Sequence, residues 1–323
     1  MRRHQAPGDG TGWCSVLSRI AESLFWIGRY VERADGTARI VDAARLQMLE
    51  QTGQSEETTA RVILQVIMGL DPGDGRVDYA TVCQRLVFDA EHASAIAGAW
   101  RGARENARRA RETVSTELWE AINTAWNRWG GFEPDQVTAA QLSWVRERAA
   151  LVSGIADSTM SHDQAWLFMA LGRSLERADM TARLVATGAL PNAGPPWSTV
   201  LQSCGAQQAY LRTNRGLIRD DRVASFLVLD RQFPRSVLFS LSAAERRLEA
   251  IDPATQRLGI PDEARRRLGR IRTSLEYRPV QDVMADLPAQ MRRVQAAVTG
   301  ASDAVARRYF PSGQVTTWVE EYA

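Results

Sequence analysis

The chain contains one segment twice. Gly28-Arg29, Glu32-Arg33-Ala34-Asp35 and Thr37-Ala38-Arg39 in residues 27–41 return as Gly172-Arg173, Glu176-Arg177-Ala178-Asp179 and Thr181-Ala182-Arg183 in residues 171–185. The apolar positions between them keep their character. A repeat at this spacing is far too long for a solenoid unit. It implies a duplicated half-domain, in which two equivalent helices carry equivalent Glu and Arg side chains. Such a constellation is either a structural clasp or a two-part site.

The helical reading follows from periodicity. Ile20, Leu24, Ile27, Val31, Ala34, Ala38 and Val41 step by three and four along one apolar stripe. Ser18 reads as an N-cap, with Glu22 near the positive end of the helix dipole. This helix is expected to run to about Glu50. Further helices are expected over 56–70, 79–86, 89–111, 113–129, 137–158 and 162–187. A break at 190–196 carries Pro and Gly. The second half reads as helices over 196–204, 207–217, 223–229, 236–251, 262–278 and 280–308. No window shows sustained strand alternation. The expected fold is all-α, a multi-helix bundle with an internal pseudo-two-fold repeat of the Glu-Arg helix. Residues 1–16 read as a disordered extension with a later translation start near Val16. Residues 17–310 read as one helical domain with halves of roughly 17–160 and 161–310, and 311–323 as a tail.

On a helix, Arg29, Glu32 and Arg39 lie on nearly one face, as do Arg173, Glu176 and Arg183. Asp35 with Arg39, and Asp179 with Arg183, are four apart with the acid first, the favourable order. Gly28 and Gly172 each cost about 1 kcal/mol of helix propensity against Ala. Another backbone passing close by would account for both. The structural reading crosses the two helices antiparallel near the glycines, so that Glu32 meets Arg177 or Arg173 and Glu176 meets Arg33 or Arg29. The functional reading gives the Arg face an anionic group, since guanidinium matches carboxylate and phosphate bidentately.

Composition narrows the chemistry. All 40 basic residues are Arg, so the chain offers no Schiff-base, P-loop or general-base Lys. The net charge of +2 in 323 residues gives no strong pull toward nucleic acid or anionic lipid. Cys14, Cys83 and Cys204 lack zinc or redox spacing, which fits a reducing cytosol. No apolar run reaches membrane-spanning length. His92 and His162 lack the Glu-x-x-His spacing of a di-iron bundle, and Asp89, Glu91 and His92 make an incomplete metal set. No metal or cofactor is expected. The face with Arg101, Arg104, Glu105, Arg108, Arg109, Arg111 and Glu112 reads as solvated. Arg265, Arg266, Arg267, Arg270 and Arg272 give a basic bias without base-stacking aromatics. Trp119, Trp126 and Trp129 read as core.

The repeat residues also carry a family likeness. The run from Leu17-Ser18-Arg19 through Glu32-Arg33-Ala34 resembles the opening of the bacterial alpha-E family, an uncharacterised helical group named for its Glu-Arg motif. Arg104-Glu105-Asn106-Ala107-Arg108, Ser115-Thr116-Glu117-Leu118-Trp119, Glu176-Arg177-Ala178-Asp179, Phe233-Pro234-Arg235-Ser236-Val237, Glu276-Tyr277-Arg278 and Tyr309-Phe310 extend it. The resemblance implies genetic company with a circularly permuted ATP-grasp ligase and a transglutaminase-like peptidase. The function it implies is a helical accessory protein of amide or peptide ligation, binding the ligase or an anionic peptide. Two other readings stay open: a stand-alone amide-forming or amide-cleaving enzyme using Glu32 or Glu176 as base, and an RNA-binding protein. The balance leans away from an enzyme acting alone.

Overall fold

Two long helices, α1 (Ser15–Glu50) and α7 (Gln164–Gly188), form the centre of the molecule. The computed structural model describes residues 15–50, 54–132, 137–190, 194–254 and 256–310. The expected N-terminal extension, apart from its last residues, and the expected C-terminal tail lie outside them. Every regular element among the described residues is helical.

Between the central helices come α2 (Gln54–Arg61), α3 (Tyr79–Cys83), α4 (Ile96–Arg109), α5 (Thr116–Trp129) and α6 (Ala139–Thr159). After α7 come α8 (Trp197–Ser203), α9 (Gln207–Thr213), α10 (Asp220–Leu229), α11 (Val237–Ile251), α12 (Glu263–Glu276), α13 (Val280–Ala285) and α14 (Leu287–Tyr309). Helix α1 packs on α7, α4 and α6, while α7 also packs on α11 and α14. Small residues make this possible. Ala34, Gly36 and Ala38 on α1, and Ala178 and Ala182 on α7, let neighbours approach from several sides, so both helices are buried well beyond one stripe.

Several boundaries differ from the sequence reading for local reasons. Ser18 is a buried residue inside α1 rather than its cap. The expected 56–70 helix widens into a π-helical turn at Val62–Ile67, and the 79–86 helix does the same at Gln84–Phe88. Residues 89–95 form a turn, not the start of α4, because the Asp89 carboxylate accepts from the backbone N–H of Glu91 and His92. The expected 207–217 helix stops at Thr213, and Arg215 and Gly216 then take positive φ. The long C-terminal helix is broken at Asp286, with Pro288 opening α14. Caps fix other starts: Ser115 for α5, Thr138 with Gln141 for α6, Asp163 for α7, Ser236 for α11 and Asp262 for α12.

The orientation of the central pair also differs. The helices run parallel, not antiparallel. Gly28 lies on Met169 and Arg173, Glu32 on Arg177, and Gly36 on Met180, so both chains advance together. Each copy carries its glycine four residues before its Glu. A glycine crossing and a Glu–Arg exchange one turn later coexist only when both helices run the same way. Helices α2 to α6 return the chain to the end from which α7 starts.

Candidate functional site: the Glu-Arg crossing

The crossing is close because neither glycine has a side chain. A Cβ on Gly28 would sit 2.0 Å from the Met169 carbonyl oxygen, and one on Gly172 would sit 2.1 Å from that of Phe25. Met169 and Phe25 occupy matching positions in the two copies. One turn further on, the two Glu-Arg pairs exchange partners. Arg33 Nε lies 2.5 Å from Glu176, and Arg177 Nε lies 2.9 Å from Glu32.

Glu176 is closed from α1 alone. Arg29 donates through Nε at 2.6 Å to Oε2, and Arg33 donates to both carboxylate oxygens. Aromatic rings hold these guanidinium groups in place. Arg29 lies over Trp26 and Phe25, and Arg33 lies over Tyr30, with centroid distances of 5.7, 6.0 and 5.8 Å. Arg29 also donates to Ser302 on α14.

Glu32 is closed differently. Arg173, the counterpart of Arg29, turns away to Asp157 at the end of α6, 3.1 Å distant. Its place beside Glu32 is taken by Arg235, whose Nη1 lies 2.5 Å from Oε1. Arg235 also pairs with Asp35, which holds Arg39 at 2.9 Å. Thr181 donates to the Arg235 carbonyl and thereby fixes the loop before α11. The first copy matches this contact, because Thr37 donates to the Ser94 carbonyl. Ser94 therefore stands where Arg235 stands on the other side. Asp179 keeps Arg183 at 2.9 Å, but its Oδ1 is buried without a hydrogen bond.

Both Glu residues are buried. Burial alone would push their carboxyl groups up, but the paired guanidiniums win. Arg235 and Arg177 hold Glu32 well below the usual carboxylate range, and Arg33 and Arg29 do the same for Glu176. Beside Glu32 a small cavity, lined also by Gly36, Arg177, Thr181, Cys204 and Arg235, has room for a single water. Burial pushes the Cys204 thiol there up to about 12, so it stays a thiol. A wider polar cleft at Thr113, Ser115, Thr159 and Asp163 is separate from the repeated charges.

All ten charged residues singled out in the repeat thus gather at or beside this crossing. Arg29, Arg33 and Glu176 form one centre, and Glu32 and Arg177 join Arg235 in the other. Asp35–Arg39 and Asp179–Arg183 are within-helix pairs, and Arg173 leaves for Asp157. The sequence reading does not place Arg235 in the site, although Phe233-Pro234-Arg235-Ser236-Val237 is part of the family likeness. The weaker candidates disperse. Asp89 caps a turn, Glu91 pairs with Arg101, and His92 Nδ1 accepts from Ser94 N–H. Trp129 is buried, while Trp119 and Trp126 are half-buried against the core.

No helix among the described residues is long and apolar enough to cross a membrane. No solved structure matches the chain significantly. Uncharacterized proteins of Mycobacterium bovis and of two strains of Mycobacterium tuberculosis are each 24% identical over 347 aligned positions, covering 96% of this chain. The match covers 39% of their own length, so the chain spans about two-fifths of these relatives. The Alpha-E model, described as a predicted alpha-helical domain with a conserved ER motif, matches residues 16–310. The match spans both Glu-Arg pairs that exchange partners at the crossing, and the chain belongs to the Alpha-E family.

Proposed function

We propose that the protein is a non-catalytic helical partner of an ATP-grasp amide or peptide ligase, and that it binds the ligase or the anionic peptide the ligase works on. One observation carries this reading. The Glu-Arg motif is spent inside the molecule, with each Glu held ionised by two guanidiniums in a packed crossing. A carboxylate held this way is a poor proton acceptor near neutral pH, so it is ill suited to the general-base role of a stand-alone amide enzyme. The pairs serve register and orientation instead, a role suited to buried ion pairs. RNA binding gains little support from the C-terminal Arg residues. Arg267 and Arg272 are engaged by Glu263, Glu245 and Glu276, and Arg265 by Glu249.

The accessory role also draws on length. In the mycobacterial relatives the matched region is part of a chain more than twice as long, so there the helical module works joined to further sequence. The ligase, and a transglutaminase-like peptidase beside it, are the partners the family resemblance implies. We read the reciprocal crossing as the trace of a duplicated half-domain, and the buried free thiols of Cys83 and Cys204 as suited to a reducing cytosol. The test is co-purification with a circularly permuted ATP-grasp ligase from the same organism. The expected result is a stable complex and an altered ATPase rate. No association and an unchanged rate would reject the accessory role.

A further inference from the structure

The residue that Arg173 abandons Glu32 to reach lies in a second charged cluster, and there the charges do not balance. Trp166, Arg173 and Arg177 sit at helical spacing on the face of α7 that meets α11. Arg247 of α11 lies against this face, with its guanidinium 5.9 Å from the centre of the Trp166 ring. His162 stacks face to face on the same ring at 3.9 Å, nearly parallel to it. Trp166 Nε1 donates to Asp157 at 3.0 Å, and Arg173 binds that same carboxylate through both terminal nitrogens.

Asp157 is therefore already shared by Trp166 and Arg173. Glu32, the other acid near Arg177, is closed by Arg177 and Arg235. Arg247 has no carboxylate partner among the described residues. Its Nη1 donates to the Ala243 carbonyl, and its Nε is buried without any hydrogen bond. Burial and the like charges of Arg173, Arg246 and Arg177 pull its pKa down to about 10, against a weaker opposing pull from Asp157. Arg246 beside it is exposed. Glu245 and Glu249 on the same helix are committed to Arg272 and Arg265.

An arginine held among arginines, half-buried and without a carboxylate partner among the described residues, is an incomplete site. An oxyanion completes it, since guanidinium binds carboxylates through paired N–H donors and the Trp166 ring covers one side of the Arg247 guanidinium. The first copy lacks the device. The stretch of α4 that packs on α1 carries Asn106, whose side chain turns back to the Gly102 carbonyl, and Glu105, which pairs with Arg108 and Arg109.

We propose that Arg247 and Arg246, beside Arg173 and the Trp166–His162 stack, form a binding site for the carboxylate of an acidic peptide. It names the ligand class for the accessory role proposed above and rests on that role.

Titration of the full chain with tri-glutamate by isothermal calorimetry, beside inorganic phosphate, tests it. The expected result is saturable tri-glutamate binding that Arg247→Gln weakens by about tenfold or more. Arg246→Gln should weaken it less, and Arg101→Gln, on a distant exposed face, not at all. Arg247→Gln should melt no lower than the parent, because it removes like-charge crowding, so lost binding will not reflect lost folding. No tri-glutamate binding at millimolar concentration, binding of phosphate alone, or unchanged affinity in Arg247→Gln would each overturn the site. Arg247→Gln should still co-purify with the ligase. Loss of ligase association by the parent chain would reject the accessory role, while the titration judges the site separately.

Discussion

The two centres of the crossing start from the same residues and are finished differently. Glu176 is closed by Arg29 and Arg33 of one helix, both stacked on rings of that helix. Glu32 is closed by Arg177 of α7 and by Arg235 from the loop before α11, a residue from outside the repeat. The difference traces to three positions. Phe25, Trp26 and Tyr30 on α1 correspond to Met169, Ala170 and Ser174 on α7. Without aromatic walls Arg173 is not held over Glu32, and it swings to Asp157. The two like segments thus make the same exchange of Glu and Arg with different supporting residues. The centre without aromatic support is tied instead to the loop before α11 through Arg235, and the cluster around Arg247 lies beside it.

Acid strikes both centres at once and is expected to have the largest effect. Both carboxyl groups are depressed in the folded state from an ordinary 4.5, against the opposing effect of burial. Their contribution is therefore fully present above about pH 4.5 and is lost as pH falls toward about 2. For two groups the loss is on the order of 5 kcal/mol, a large part of a domain's stability. Urea unfolding at pH 7, 4.5 and 3 reads it directly. A midpoint that does not move between pH 4.5 and 3 would show that the pairs are not held as described.

Removing one Glu at a time separates the centres. Glu176→Ala leaves Arg29 and Arg33 with no carboxylate in contact among the described residues, Asp179 acting on Arg33 only through space, and is expected to cost about 3–5 kcal/mol. Glu32→Ala strands only Arg177, because Arg235 keeps Asp35, and should cost roughly 2 kcal/mol. Chemical denaturation of the two variants gives the order. Equal losses would mean that Asp35 does nothing for Arg235.

Much of this arrangement was legible in the repeat. Helix spacing placed the charges on one face, the glycines announced a close approach, and the Glu–Arg partners followed from both. The direction of the pair was equally present in the sequence, in the constant step from glycine to Glu, but only once partner exchange and crossing point are imposed together. Arg235 and Asp157 were not legible, because their contacts join the repeat to a loop and a helix end far along the chain. The Arg247 cluster was hidden for a related reason. Nothing in the order Glu245-Arg246-Arg247 says that the Glu residues face α12 and Arg247 faces α7.

The smallest expected effect compares the two arginines that compete for Glu32. Arg235 touches Glu32 and Asp35, whose side chains are about 5% exposed. Arg235→Gln leaves each acid with one remaining partner, and the expected loss is about 2 kcal/mol. Arg173 touches Asp157, which is 43% exposed, so Arg173→Gln should cost less than about 1 kcal/mol. Yet Arg173 also acts on Glu32 through space, adding to the pull of Arg235 and Arg177. Thermal melts at low and high salt divide the two contributions. The Arg173 loss should shrink as salt rises, since it acts partly through a screened field, whereas the buried contact of Arg235 should hardly respond. If both losses are equal and both fall with salt, the field of the surrounding arginines, not the contact with Arg235, holds Glu32 ionised, and the two centres are alike after all.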